Sequence, residues 1–492
     1  MSEIKKINKS AAIHTMVGLA FMLLFPLLPP IEPITKVGMI VAGAFIGMVY
    51  LWSTVDSVWP SALGLLIIAL SGYLGEEITG YAAVKNVFLN AYGTDTVLLL
   101  VLGLVLFGGV EYVGCTKYFA RFFLTRKIIN GRPYAFFSMV FLCSFLLSGL
   151  TNPLASLLIL WPIMIDVMGE FGVKKGETPF YAGVVGIYLA ATLGQPMFPF
   201  KGAALVVVSA YEKLSGTTVS YPSYIAYNVI MSMILLACYL MLLKLVFRMD
   251  VSTMKTVNTE QFTKEKLPPM SFSQKCFMTM IVCYVTLLLL PSFLPKTFVV
   301  TKWLNSFGTL GITILCVVVL MILQDGGKPV LQYGLVAKKC FNWGIYFMVG
   351  AAVYAANAVS NKATGITAFL LDYLQPLLGD KPVFVFIFLL LAFALITTNF
   401  ANNAGMAVVL LPVVMAFADQ YPTVNTVVIC MSITMMVFVA ILTPAASPYC
   451  GMLHARTDAV SLKEIVKLGF PMCVIAVLVY TFIGFPIANI LF

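Results

Sequence analysis

Between Lys381 and Asp419 the chain carries no charge, and the polar residues of this stretch bunch at its centre as Thr397-Thr398-Asn399-Phe400-Ala401-Asn402-Asn403-Ala404-Gly405. One helix crosses a bilayer with about 20 apolar residues, so a run of roughly 36 is too long for one pass and short for two. Two half-length arms meeting at a polar tip satisfy that length. Such a re-entrant hairpin is tolerated at membrane depth only where its non-helical backbone is buried in protein or lines a wet cavity.

A second stretch has the same form. Tyr134 to Met168 is apolar around Ser148-Gly149-Leu150-Thr151-Asn152-Pro153. Laid over one another, Asn152 meets Asn402, Leu160 meets Leu410 and Pro162 meets Pro412, a constant offset of 250 in a chain of 492 residues. Three fixed points in two runs of the same unusual length indicate an internal duplication of half the chain, the construction of many secondary transporters. Composition agrees: 61% hydrophobic and 10% charged residues, with mean hydropathy +0.99, mark a polytopic membrane protein. The net charge of +10 is that of positively charged cytoplasmic loops, and no nucleic-acid partner is expected. The ten cysteines show no metal-ligand spacing, and two histidines are too few for a metal cluster, so no cofactor is indicated.

In chain order, a tail and first transmembrane helix (1–36) precede a first repeat, 37–247, with spans near 37–55, 59–74 and 94–113. A basic amphipathic segment, 116–132, is expected to lie on the inner surface. The first hairpin (134–168), a broken helix (180–213) and a span (224–247) follow. A polar linker, 248–275, leads to the second repeat, 276–492: spans near 276–294, 307–323 and 341–360, an amphipathic piece, a hairpin (382–419), a broken helix (423–453) and a last span (464–490). With the N-terminus cytoplasmic, most of the 30 basic residues fall inside and the C-terminus falls outside. The two hairpins then enter from opposite sides. The expected fold is therefore an all-α polytopic membrane protein: an inverted repeat with two re-entrant helical hairpins and about 11 transmembrane helices.

Both broken helices carry two prolines and glycine, in Gly194-Gln195-Pro196-Met197-Phe198-Pro199-Phe200-Lys201-Gly202 and in Thr443-Pro444-Ala445-Ala446-Ser447-Pro448-Tyr449-Cys450-Gly451. Proline removes helical hydrogen bonds and frees carbonyls at mid-membrane depth. Free carbonyls beside Asn and Thr oxygens suit a hard cation such as Na⁺, and half-helix N-termini suit an anion. Ordinary proline kinks would produce the same motif without a site. Lys201 lies about 18 Å along a helix from Tyr211-Glu212-Lys213, too deep to reach the surface easily. It is expected to act at the transport site, as counter-charge to an anion or in place of a coupling cation, or else to bind a carbonyl as structural glue. Glu111 and Asp166, near predicted span ends, are expected to have a solvated or interfacial role.

These residues resemble the divalent-anion:sodium symporters of the ion-transporter superfamily, from Trp52-Ser53-Thr54 through the second broken helix. That family carries a Ser-Asn-Thr signature at both hairpin tips. Here the tips read Thr151-Asn152-Pro153 and Ala401-Asn402-Asn403, keeping both asparagines and the hydroxyl of Thr151. The family's Thr-Pro start of the second break is kept at Thr443-Pro444, without the Asn that follows it. The resemblance implies a homodimer with a scaffold and a moving transport domain, in the plasma membrane. It also implies dicarboxylate, tricarboxylate or sulfate substrates and Na⁺ as coupling ion. Thr151, Asn152, Pro153, Asn402, Asn403, Lys201, Thr443 and Ser447 are the candidate substrate-binding residues. Na⁺ is expected near Thr151, Asn152, Gln195, Ala401, Asn402 and Thr443.

The expected function is secondary active transport of small anions by an elevator-type motion. The altered signatures and Lys201 leave open a Na⁺-independent anion exchanger or an H⁺-coupled carrier. A passive channel fits less well. A membrane-embedded enzyme lacks a nucleophile–base pair, paired carboxylates or an HExxH motif, and no GxxxxGK[ST] loop supports ATP-driven pumping.

Overall fold

The computed structural model describes residues 9–256, 267–378, 381–400, 403–418 and 425–492. The protein is an all-helical integral membrane protein; among the described residues ten helices are long and apolar enough to cross a bilayer. In the first half α1 (Lys9–Leu24), α2 (Lys36–Thr54), α3 (Val58–Leu70), α4 (Gly80–Tyr92) and α5 (Asp95–Tyr112) precede α6 (Cys115–Leu124). The amphipathic α6 is the basic surface segment anticipated from the sequence. The first hairpin is α7 (Pro133–Leu150) and α8 (Pro153–Glu170), the broken helix α9 (Thr178–Gly194) and α10 (Gly202–Ser215), and the last span α11 (Tyr221–Met241).

The second half opens with α12 (Phe272–Phe293) and α13 (Val299–Ile322), the latter interrupted at Gly308, whose φ of 61° and ψ of −179° no helix accommodates. Then come α14 (Tyr333–Cys340), α15 (Trp343–Ser360) and α16 (Ile366–Leu378). The second hairpin is α17 (Val383–Thr398) and α18 (Asn403–Ala418), and the second broken helix α19 (Thr426–Met436) and α20 (Pro448–Ala455). The chain closes with α21 (Leu462–Val479), continued through a π turn into α22 (Phe485–Leu491). Two elements were not anticipated. The helices α4 and α14 are only 13 and 8 residues long, below the length at which an apolar run reads as a span. The span expected at 59–74 is likewise only the 13-residue α3.

The two broken helices lie side by side with opposite directions. The first arm of one, α9, packs on the last arm of the other, α20, while α10 packs on α19. Antiparallel pairing of equivalent elements is the geometry of an inverted repeat.

Every residue of α9 from Pro179 to Gly194 is buried, which suits a helix that is apolar or small all round. Both arms of the first hairpin pack on it. Within the apolar layer a few hydroxyls fix the register. The Ser144 hydroxyl lies 2.8 Å from that of Ser156, joining the arms, and donates to the Ile187 carbonyl at 2.8 Å. The Trp161 indole donates to the Val184 carbonyl at 3.0 Å. At its C-terminal end, α9 approaches α7 so closely that a Cβ on Gly194 would overlap the carbonyl oxygen of Phe145. Gly194→Ala is therefore expected to push the break away from the hairpin and destabilise the protein by about 1–3 kcal/mol. Thermal unfolding in detergent measures this; an unchanged melting temperature would refute the close-packing account.

Candidate functional site

In each half the hairpin tip docks onto the break of the following helix. At the first tip α7 ends at Leu150 and α8 starts at Pro153, whose fixed φ and missing N–H suit the first helical position. Asn152 caps α8: its side-chain oxygen accepts the Ala155 N–H at 2.9 Å. Thr151, 3% exposed, donates its hydroxyl to the Leu147 carbonyl at 2.7 Å, so only lone pairs remain to it. Lys201 is the N-cap residue of α10, but its side chain does not cap; it reaches back to the hairpin. Its ammonium donates to the carbonyls of Gly149 at 2.6 Å and Ser148 at 3.3 Å, and lies 4.8 Å from the centre of the Phe107 ring. These carbonyls belong to the last turn of α7, where helical partners run out. The Ser148 hydroxyl, and in the first break the Gln195 side-chain oxygen, are buried without a hydrogen-bond partner.

The second tip solves the same problem with different groups. The carbonyl of Asn399, 250 positions after Gly149, accepts the Thr443 hydroxyl in a short contact. The Asn399 side chain accepts the N–H groups of Ile441 at 3.1 Å and Leu442 at 2.8 Å and donates to the Leu395 carbonyl at 2.7 Å. Thr398 donates to the side-chain oxygen of Asn403 at 2.8 Å, and the Asn403 N–H donates to the Ala446 carbonyl at 3.1 Å. The Asn403 amide nitrogen is buried and unpartnered. Ser447 caps α20, accepting the Cys450 N–H at 3.1 Å. Ala401 and Asn402 lie outside the described residues.

Three expectations need correction. The second break was placed at Thr443–Gly451, yet helix ends before Ala440 and resumes at Pro448, because proline is as much a helix starter at N1 as a breaker inside. Its carbonyls are also less free than the prolines implied: Ala440 accepts from Tyr188 at 2.9 Å, the His454 imidazole lies 3.0 Å from the Ile441 oxygen, and Ala446 accepts from Asn403. Lys201 corresponds by its cap position to Ser447 rather than to a residue near Gly451. Glu111, expected in a solvated or interfacial role, is half-buried near the end of α5 and accepts the Asn152 amide at 2.7 Å. Asp166 is exposed, as a residue near a span end should be.

The Asn152–Glu111 contact was not anticipated from the sequence. One turn after Phe107, Glu111 shares the face of α5 that meets Lys201, an i, i+4 spacing that was legible in principle. The Phe107 ring lies 4.8 Å from the Lys201 ammonium and the Glu111 carboxylate accepts the Asn152 amide, so α5 meets the first tip at both residues. Helix N-termini carry unpaired N–H groups and a positive dipole end. Chemically the start of α8 suits an anion, and the tip carbonyls suit a cation.

Comparison with known proteins places the chain. Residues 9–492 match the family described as the sodium:sulfate symporter transmembrane region. An uncharacterized transporter of Methanocaldococcus jannaschii is 20% identical over 364 residues, covering 73% of this chain and 76% of that protein. The crystal structure of the YdaH transporter of Alcanivorax borkumensis, reported to have an unusual topology, superposes with a TM-score of 0.58 at 15% identity. That match covers 96% of this chain and 97% of that one.

Proposed function

The chain belongs to the sodium:sulfate symporter family, and from that premise we propose that it is a secondary active transporter of small anions, di- or tricarboxylates foremost, with an elevator-type motion. The observation that carries this reading is that Lys201, at the start of α10, reaches the first hairpin tip beside the start of α8. A lone ammonium at mid-membrane depth costs several kcal/mol unless compensated. An anionic substrate compensates it, and unpaired N–H groups at the helix starts are donors for its oxygens; the charge class is taken from the family resemblance. Thr151, Asn152, Pro153, Asn402, Asn403, Thr443 and Ser447 are proposed to line the pathway.

Na⁺ is the coupling ion the family suggests. At the second tip Asn402 and Thr443 are its proposed neighbours. At the first tip the fit to Na⁺ is poor, because the Gly149 and Ser148 carbonyls that would face an ion beside Thr151, Asn152 and Gln195 accept Lys201 instead. That observation favours a second reading, Na⁺-independent anion exchange, in which the ammonium permanently fills the first cation position. A plasma-membrane location with cytoplasmic N-terminus, and a homodimer built on the helices outside the hairpins, complete the proposal.

The test is uptake of radiolabelled succinate, citrate and sulfate into proteoliposomes holding the purified chain. Accumulation above the external concentration under an inward Na⁺ gradient is expected for symport. Uptake that requires internal anion and ignores Na⁺ is expected for exchange. Equilibration without accumulation or exchange would identify a channel and overturn the proposal.

A further inference from the structure

We propose that Glu111 is an internal anion that holds the substrate's place at the first hairpin tip and must be displaced when substrate binds; this rests on the reading of that tip as the anion site. The carboxylate does what a substrate carboxylate would do there. It accepts the Asn152 amide at 2.7 Å, and one turn earlier on the same helix the Phe107 ring lies 4.8 Å from the Lys201 ammonium. The Asn152 oxygen caps α8, so toward an anion this side chain offers only its amide N–H groups, one of which Glu111 occupies. An incoming anion at this tip therefore competes with Glu111 for that donor.

Glu111 is mounted from outside the hairpin. Its helix, α5, packs most extensively on α14 and α13, and also on α10, α12 and α15. It is held closely by glycine: a Cβ on Gly108 would fall 2.6 Å from Cys340 Cβ, and one on Gly109 would overlap the Phe277 ring. The depth of the carboxylate is therefore set mainly by helices outside the hairpin it contacts. If the hairpin moves relative to these helices during transport, the Glu111–Asn152 bond is made in one state and broken in the other. The carboxylate occupies the Asn152 amide when substrate is absent, and an anion of higher charge or better fit replaces it.

The competition has a sign. Removing the carboxylate should tighten binding of an external anion, whereas a residue that merely supports Lys201 would loosen it when removed. Sulfate and succinate are titrated calorimetrically into the purified full chain, its Glu111→Gln and Glu111→Ala variants, and Lys201→Met. An acceptor that is charged holds a donor more strongly than a neutral one. The expected order of affinity is therefore Ala above Gln above wild type, with the dissociation constant of the Ala variant lower by about tenfold or more, a difference of about 1.4 kcal/mol. In transport, KM and kcat should fall together in both variants, because the bound anion is no longer displaced from within. Should Glu111→Ala not fold, Glu111→Gln, which keeps the shape and an acceptor for Asn152, carries the test alone. Unchanged or weaker binding in the Glu111 variants, with Lys201→Met weakened, overturns the competitor role and leaves the anion site standing. Unaltered affinity in Lys201→Met overturns the anion site and the competitor with it.

Discussion

Lys201→Met is expected to weaken binding of a small dianion by well over tenfold while the protein still folds. The methionine keeps the length and the apolar stem, so packing against Phe107 survives and only the ammonium is lost. A hydrogen bond to a charged group contributes about 1.5–3 kcal/mol, which corresponds to roughly 10- to 150-fold in affinity. Calorimetric titration of succinate or sulfate reads the loss directly, and thermal unfolding reports the fold. The companion variant, Lys201→Ala, separates the two roles open to the ammonium. If it fills a cation position, its removal frees the Gly149 and Ser148 carbonyls, hard oxygen ligands of the kind Na⁺ takes. Transport insensitive to Na⁺ in the wild type should then become Na⁺-dependent in the variant. Unchanged affinity and unchanged ion dependence in both variants would make Lys201 a structural tie between break and hairpin.

The second large effect is at Asn399, a residue outside the Asn-containing signatures that drew attention to the tips. Asn399→Ala removes the acceptor for two consecutive N–H groups, Ile441 and Leu442, at the start of the second break. Asn399 is 3% exposed, and no water of the bilayer core can replace its oxygen. A buried donor left unsatisfied costs about 1–3 kcal/mol, so two cost about 2–6 kcal/mol before relaxation. The variant is expected to melt well below the wild type and to lose transport. Asn399→Asp keeps an acceptor for both N–H groups but loses the bond to the Leu395 carbonyl and buries a carboxyl group, so it too should melt below the wild type. A variant alanine with wild-type melting and uptake would show that the break holds its shape without this clamp.

How far the fold could be read without coordinates follows from the solvent. In a bilayer every backbone polar group must be satisfied within the chain, so spans, hairpins and breaks are written locally as apolar runs, prolines and polar tips. That is why the arms Pro133–Leu150, Pro153–Glu170 and Val383–Thr398, and the first break at 195–201, fall where the sequence places them. The short α4 and α14 were invisible because neither is long enough to span; they exist by packing on α3, α5 and α15.

The site divides along the same line. Sequence alone identified both tips, both breaks and the anomalous cation at Lys201, because each contradicts its apolar surroundings at a position fixed by the duplication. Which groups meet was decided by tertiary structure. The partner of Asn152 is Glu111, from a helix some 40 residues earlier, and nothing in the spacing of α5 states the depth at which it passes the hairpin. Lys201 could have served an outer carbonyl or a water; the approach of α9 to α7 through Gly194 places it on the Gly149 carbonyl. Thr443, by sequence a ligand candidate, gives its proton to Asn399. Local sequence sets where backbone bonds are missing, since that depends on residue type and run length. Which side chain or ligand supplies the missing partner depends on how the helices cross, and that is a property of the packed whole.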